Sequence, residues 1–113
     1  MTKPKISWED FQKIDIRVGT VLRAESLENA RKPAIKISID FGSIGILKTS
    51  AQITSLYTIE DLPGKQVLAV VNFPPKQISN FMSECLVLGL LGKDNEVTLI
   101  VPDHAAKNGL KLG

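Results

Sequence analysis

Apolar and polar positions alternate along this chain in short blocks. Ile35, Ile37, Ile39 and Phe41 are apolar, while Lys36, Ser38 and Asp40 between them are polar. That period of two, rich in isoleucine, predicts a strand over 35–41 with one face buried. Gly42-Ser43-Ile44-Gly45 is a turn signal, and over 46–53 Lys48, Ser50 and Gln52 again fall on one parity. A hairpin is expected, with Lys36, Ser38 and Asp40 beside Lys48, Ser50 and Gln52 on its solvent face. Upstream, 14–24 alternates at even positions, passes Gly19 and resumes at Val21. A glycine where the parity shifts predicts a bulge or bend within one long strand.

Further on, 66–71 is apolar on both parities, which predicts a strand over 65–73 buried on both faces. Residues 85–91 read as a fifth strand, 92–96 as a turn, and 97–101 as a returning strand. Ser7 before Trp8-Glu9-Asp10-Phe11 predicts a short helix ending near Lys13, with Asp10 at its third position and both acids at the positive end of the dipole. Trp8 and Phe11 would share one face of that helix.

The remaining segments read as connections. Residues 25–33 form a polar loop, containing Asn29-Ala30-Arg31-Lys32-Pro33, with room for one helical turn. Residues 54–62 are a connector in which Thr58 caps a short turn. Asn72-Phe73-Pro74-Pro75-Lys76-Gln77-Ile78 is a rigid loop, because two successive prolines cannot continue a ladder. The tail, 103–113, is polar with an Asn108-Gly109 turn. Five or six strands, one long and bent, suit a partly open Greek-key barrel, with a sandwich as the rival.

Composition narrows the class. At 113 residues the chain has the length of a single domain, and 43% hydrophobic with 23% charged residues is an ordinary globular balance. No apolar run approaches the roughly 20 residues that span a bilayer, so no membrane insertion is expected. The N-terminus has two lysines but no apolar segment behind them, which argues against a secretory signal. Cys85 is the only cysteine, in keeping with a reducing cytoplasm. A net charge of +2 is too mild to imply a nucleic-acid partner unless the basic groups are gathered on one face.

From Asp15-Ile16-Arg17-Val18-Gly19 onward the sequence resembles the tRNA-binding domain family. The likeness runs in order through Ala30-Arg31-Lys32-Pro33-Ala34-Ile35-Lys36, Lys48-Thr49-Ser50-Ala51-Gln52-Ile53, Leu62-Pro63-Gly64-Lys65-Gln66-Val67 and Val70-Val71-Asn72-Phe73-Pro74-Pro75-Lys76-Gln77-Ile78. It implies an all-β protein with short helices: a five-stranded Greek-key OB-fold barrel with an N-terminal helix and a C-terminal extension. Phe81-Met82-Ser83-Glu84-Cys85-Leu86-Val87-Leu88-Gly89 and the tail motifs Val101-Pro102-Asp103 and Asn108-Gly109 are similar to those of the family's export-related chaperones. This implies a homodimer that binds unfolded export precursors, contacts the Sec translocase motor, retains a tRNA-binding surface and needs no cofactor. One departure is clear: the family's Ser-x-Gly-Met pattern stands here as Ser83-Glu84-Cys85-Leu86, with only the serine kept, so the resemblance does not carry strong tRNA affinity.

Three groups of candidate residues follow. Arg31, Lys32, Lys36, Lys48, Ser50, Gln52, Asn72, Lys76 and Ser83 are candidates for nucleic-acid contacts, since lysine, hydroxyl and amide groups suit phosphate and sugar. The predicted stripe holds no aromatic, which favours folded RNA shape over stacked single strands. Phe73, Ile78, Phe81 and Met82, on or near the Pro-Pro loop, are candidates for an apolar peptide pocket. Trp8 and Phe11 are candidates for a dimer interface. No catalytic or metal constellation is visible: His104 has no second histidine, and Glu9-Asp10 and Glu60-Asp61 sit at helix starts where the dipole accounts for them.

Overall fold

In a computed structural model, which describes residues 2–27 and 31–113, the chain forms a nearly closed antiparallel barrel of the OB type. Helix α1 (Trp8–Gln12) leads into strands β1 (Ile16–Ser26), β2 (Ile35–Asp40), β3 (Ile46–Ala51) and β4 (Gln66–Val70). Then come β5 (Lys76–Ile78), β6 (Phe81–Ser83), β7 (Leu86–Val87), β8 (Gly89–Leu91) and β9 (Val97–Leu99). The main sheet runs β3-β2-β1-β4-β7, while β5 with β6 and β8 with β9 form separate two-stranded ribbons.

The local signals act as expected at several points. Ser7 caps α1: its hydroxyl accepts from the Asp10 backbone N–H, and its own N–H donates to the Asp10 carboxylate. In β2 every second residue is buried, Ile35, Ile37 and Ile39 pointing inward and Lys36, Ser38 and Asp40 outward. The β2–β3 register sets Lys36 opposite Ser50 and Ser38 opposite Lys48, so the polar stripe exists as a continuous outer face. Val21, Ile39, Phe41, Leu62 and Val67 make the centre of the core, each almost fully buried.

Four expectations are corrected. Gly19 is not a bulge: β1 pairs with β4 in unbroken register from Ile16 to Thr20, and the irregularity against β2 lies between Val21 and Arg23. The apparent parity shift arises because both faces of β1 are buried here, Ile16 and Val18 on one and Gly19 and Val21 on the other. Gly19 is needed for room instead, since a Cβ there would lie 2.5 Å from Ile39 and 2.7 Å from the Phe41 ring. Second, the predicted strand over 85–91 is split at Leu88. Its N–H donates to Leu68 and its C=O accepts from Ile100, so β7 stays with β4 while β8 leaves to pair with β9.

Third, the expected strand over 65–73 is shorter, ending at Val70. Fourth, the loop after the two prolines becomes a strand at Lys76, and Lys76–Ile78 folds back on Phe81–Ser83. Of the loop expected over 25–33, residues 25 and 26 continue β1, 31–33 hold no helical turn, and 28–30 lie outside the described residues.

The polar tail is tied to the barrel. Gly109 N–H donates to Val18, Val18 N–H to Leu110 and Leu112 N–H to Ile16, so the tail lies along the edge of β1 that β2 leaves open. Asn108 Oδ1 accepts from Thr20 Oγ1 at 2.7 Å and Gln66 Nε2 at 3.1 Å. Gly42 and Gly109 permit the close approach: both have positive φ, and a Cβ on either would come within 2.6 Å of a carbonyl oxygen on the other segment.

Candidate functional site

The barrel is least closed between β3 and β7, and the β5–β6 ribbon arches over that end. Beneath it opens a cleft of about 590 Å³ whose wall includes Arg31, Lys32, Ser50, Gln52, Lys76, Ser83 and Ile78. Residues assigned separately to nucleic acid and to peptide therefore meet in one place. A second hollow of about 350 Å³ adjoins it through Lys76, Ser83, Cys85 and Leu86, with Phe73 and Pro74 on its far side.

Lys36 and Lys48 stand on the outer face of the β2–β3 hairpin, and both reach the ring of Phe81. Their Nζ atoms are 5.9 and 5.7 Å from its centroid, within range of cation–π attraction. The stripe has no aromatic of its own, but β6 supplies one. Folding brings together two residue types that sequence order separates, a basic face and an aromatic plane.

Register sorts the ribbon. Ile78 is opposite Phe81 and Lys76 opposite Ser83, so these four share a face; Gln77 and Met82 take the other. Met82, 43% exposed, thus points away from its expected companions Ile78 and Phe81. Phe73, 53% exposed, joins only the second hollow.

A buried hydroxyl pair sets the height of the ribbon over the barrel. Thr49, 1% exposed, donates to the Cys85 carbonyl at 2.6 Å and accepts from Ser83 Oγ at 2.7 Å. The serine retained from the family pattern thus has a structural partner as well as a place in the cleft wall. Glu84 adds a second clamp: its N–H donates to the Lys48 carbonyl at 2.7 Å and its Oε1 accepts from the Lys48 N–H at 2.9 Å. Neither Thr49 nor Glu84 was singled out from the sequence. Thr49 carried a usable signal, a hydroxyl at a core-facing parity, which requires a partner.

Cations predominate on this side, with Glu84 in the wall of the second hollow and Asp40 on the outer face of β2 as the acids among them. Among the described residues the ion pairs are Lys13 with Asp10 and Arg17 with Asp15, His104 Nε2 lies 3.1 Å from Asp103, and none of these contacts involves Arg31, Lys32, Lys36, Lys48 or Lys76. Burial, assisted by the nearby Glu84 charge, pushes the Cys85 thiol up to about 12, so this residue is a neutral wall atom and no nucleophile. No cluster of metal-ligating side chains occurs among the described residues.

The remaining candidates lie elsewhere. Asn72 spends its amide on the α1–β1 junction, accepting from the Asp15 N–H at 2.9 Å and donating to the Lys13 carbonyl at 2.7 Å. Trp8 and Phe11 are on the exposed side of α1, with Trp8 86% exposed. Ile6 is exposed just before the helix.

Residues 16–111 match the family model described as "Putative tRNA binding domain". A crystal structure of the chaperone CsaA from Bacillus anthracis superposes with a TM-score of 0.93 at 47% identity, covering 97% of this chain and all of that one. The CsaA chaperone protein of Picrophilus torridus gives 0.90 at 47% identity, over 96% of this chain and all of that one. A methionine–tRNA ligase of Leptospira biflexa is 36% identical over 104 residues, 92% of this chain but only 15% of the ligase. No helix among the described residues is long and apolar enough to cross a membrane. The chain belongs to the tRNA-binding domain family, and within it to the CsaA type.

Proposed function

We propose that the protein is a non-enzymatic, single-domain chaperone of the cytoplasm, which holds unfolded segments of export precursors as a homodimer and presents them to the Sec translocase motor. The observation that carries this reading is the cleft in which Arg31, Lys32 and Lys76 surround Ile78 and Leu86. Cations around an apolar floor suit chain segments of mixed character, and the reading needs neither nucleotide nor metal. Exposed Ile6, Trp8 and Phe11 offer an apolar face for a second copy. The test is aggregation of a chemically unfolded precursor, with the mass in solution recorded beside it. Suppression at one dimer per client is expected. Unchanged aggregation, or a monomer under the same conditions, refutes the corresponding part.

A second reading, tRNA binding by the same side of the barrel, is favoured by one observation: the Phe81 ring within reach of both Lys36 and Lys48. An aromatic plane with two cations near it suits an unpaired base and its phosphates. Replacing both lysines with alanine should weaken tRNA binding and reduce the slope of log K against log salt by about 2. An unchanged affinity and slope reject this site.

A further inference from the structure

The seam of the barrel carries backbone groups that the fold leaves unused. Phe41 N–H donates to Gly45 C=O, so the paired positions of the β2–β3 ladder are 39 with 47, 37 with 49 and 35 with 51. Ser50, opposite Lys36, therefore turns its N–H and C=O away from β2. Lys48 is oriented the same way, and both of its groups are taken by Glu84. One step further along that edge nothing takes the place of Glu84. Among the described residues the Ser50 N–H has no partner, and its C=O meets no donor nearer than the Thr49 hydroxyl at 3.3 Å.

Across the seam the same logic applies to β7. Leu88 N–H donates to Leu68 C=O, which makes 86 with 70 the next bonded pair and turns Val87 outward. The cleft beneath the β5–β6 ribbon and a larger one of about 1050 Å³ beside β8 and β9 share Lys32, Ser50, Gln52 and Leu86. They are two ends of one trough that passes the open edge.

We infer that this trough takes a single extended polypeptide segment, which adds as a strand to the edge of β3 at Ser50. The inference rests on the chaperone reading and specifies how that site would recognise its client. Two features select a peptide. An N–H and a C=O presented side by side match another peptide unit, whereas a phosphate only accepts. Lys32 at the junction and Arg31 and Lys76 in the cleft wall, without acidic partners, favour acidic side chains on the client. Recognition through the backbone would let one site accept many sequences.

The test uses the full chain and a short fluorescein-labelled peptide of alternating valine and glutamate. Two isomers are compared with it, N-methylated on alternate residues of one edge or of the other. Because a one-residue slip would exchange the valine and glutamate faces, the peptide bound in one strand direction cannot change edges without losing its fit. Binding of the parent is expected, with about tenfold loss for one isomer and little change for the other. Ser50→Pro, which removes the edge donor, should weaken the parent peptide similarly. Equal binding of parent and both isomers overturns strand addition while leaving the chaperone reading intact. No peptide binding, with client aggregation also unaffected, overturns both. Perturbation of the Ser50 and Val87 amide signals by tRNA and not by peptide would assign the edge to RNA and overturn the inference.

Discussion

Replacing Thr49 with valine keeps the shape of the side chain and deletes the hydroxyl that joins the β5–β6 ribbon to β3. Two short hydrogen bonds are lost, to the Cys85 carbonyl and from Ser83 Oγ. Each contributes about 1 kcal/mol net, and more where a buried partner is left unpaired. Here Ser83 Oγ already lies 3.3 Å from the Cys85 carbonyl and can take over part of the role. A total of about 2 kcal/mol is therefore expected. With an unfolding entropy of about 2.1 cal/mol/K per residue, the 113 residues give roughly 0.24 kcal/mol/K, so the midpoint should fall by about 8 °C. If the loss is concentrated in the ribbon, amide exchange over 76–83 should accelerate about 30-fold while the β1–β2 ladder changes only with global stability. Thr49→Ser retains the hydroxyl and should leave the ribbon protected. A loss below about 0.5 kcal/mol with unchanged exchange over 76–83 would refute the role assigned to Thr49.

Gly19→Ala places a methyl 2.5 Å from Ile39 and 2.7 Å from the Phe41 ring, about 1 Å inside normal carbon contact, and should cost about 2 kcal/mol in urea unfolding. Combining it with Phe41→Leu should cost less than the sum of the two single changes. Hydrogen bonding from the Ser7 backbone, then Lys13 and the Ser7 hydroxyl, holds the Asp10 carboxyl below its ordinary value of 3.8. Its folded pKa is depressed, so its support of α1 is present above about pH 4 and is lost as pH falls through the folded value. Fluorescence of Trp8, the only tryptophan, should report this transition, and Asp10→Asn should abolish it. For Cys85 the sign is opposite to the usual carboxylate case. The folded thiol ionises near 12 against 9.0 ordinarily, so stability should decline as pH rises from about 9 toward 12. Iodoacetamide at pH 8 should label Cys85 in denaturant and spare it in the native protein, as mass spectrometry would show.

Local chemistry made much of this protein legible in its sequence. The alternation of isoleucines with Lys36, Ser38 and Asp40 specifies a half-buried strand whatever surrounds it, because a period of two separates the faces. The Ser7–Asp10 capping pair and the turns around Gly42 and Asn108-Gly109 depend on neighbours within a few residues. The order of these elements, together with the family motifs, was enough to indicate an OB barrel.

What tertiary structure alone decided are relations between segments far apart in the chain. The crowding at Gly19 comes from Ile39 and Phe41 on the neighbouring β2 segment, distant in sequence, so periodicity misread it as a bulge. The break at Leu88 appears only when β4 takes its N–H and the segment around Ile100 takes its C=O. Phe81 meets Lys36 and Lys48, and Ser83 meets Thr49, because the ribbon folds back over β3. Whether an edge N–H such as that of Ser50 is used depends on where the barrel stops closing. Hydrophobic pattern records which face of a strand is buried and carries almost no information about which distant strand lies beside it, so the elements were readable and the cleft between them was not.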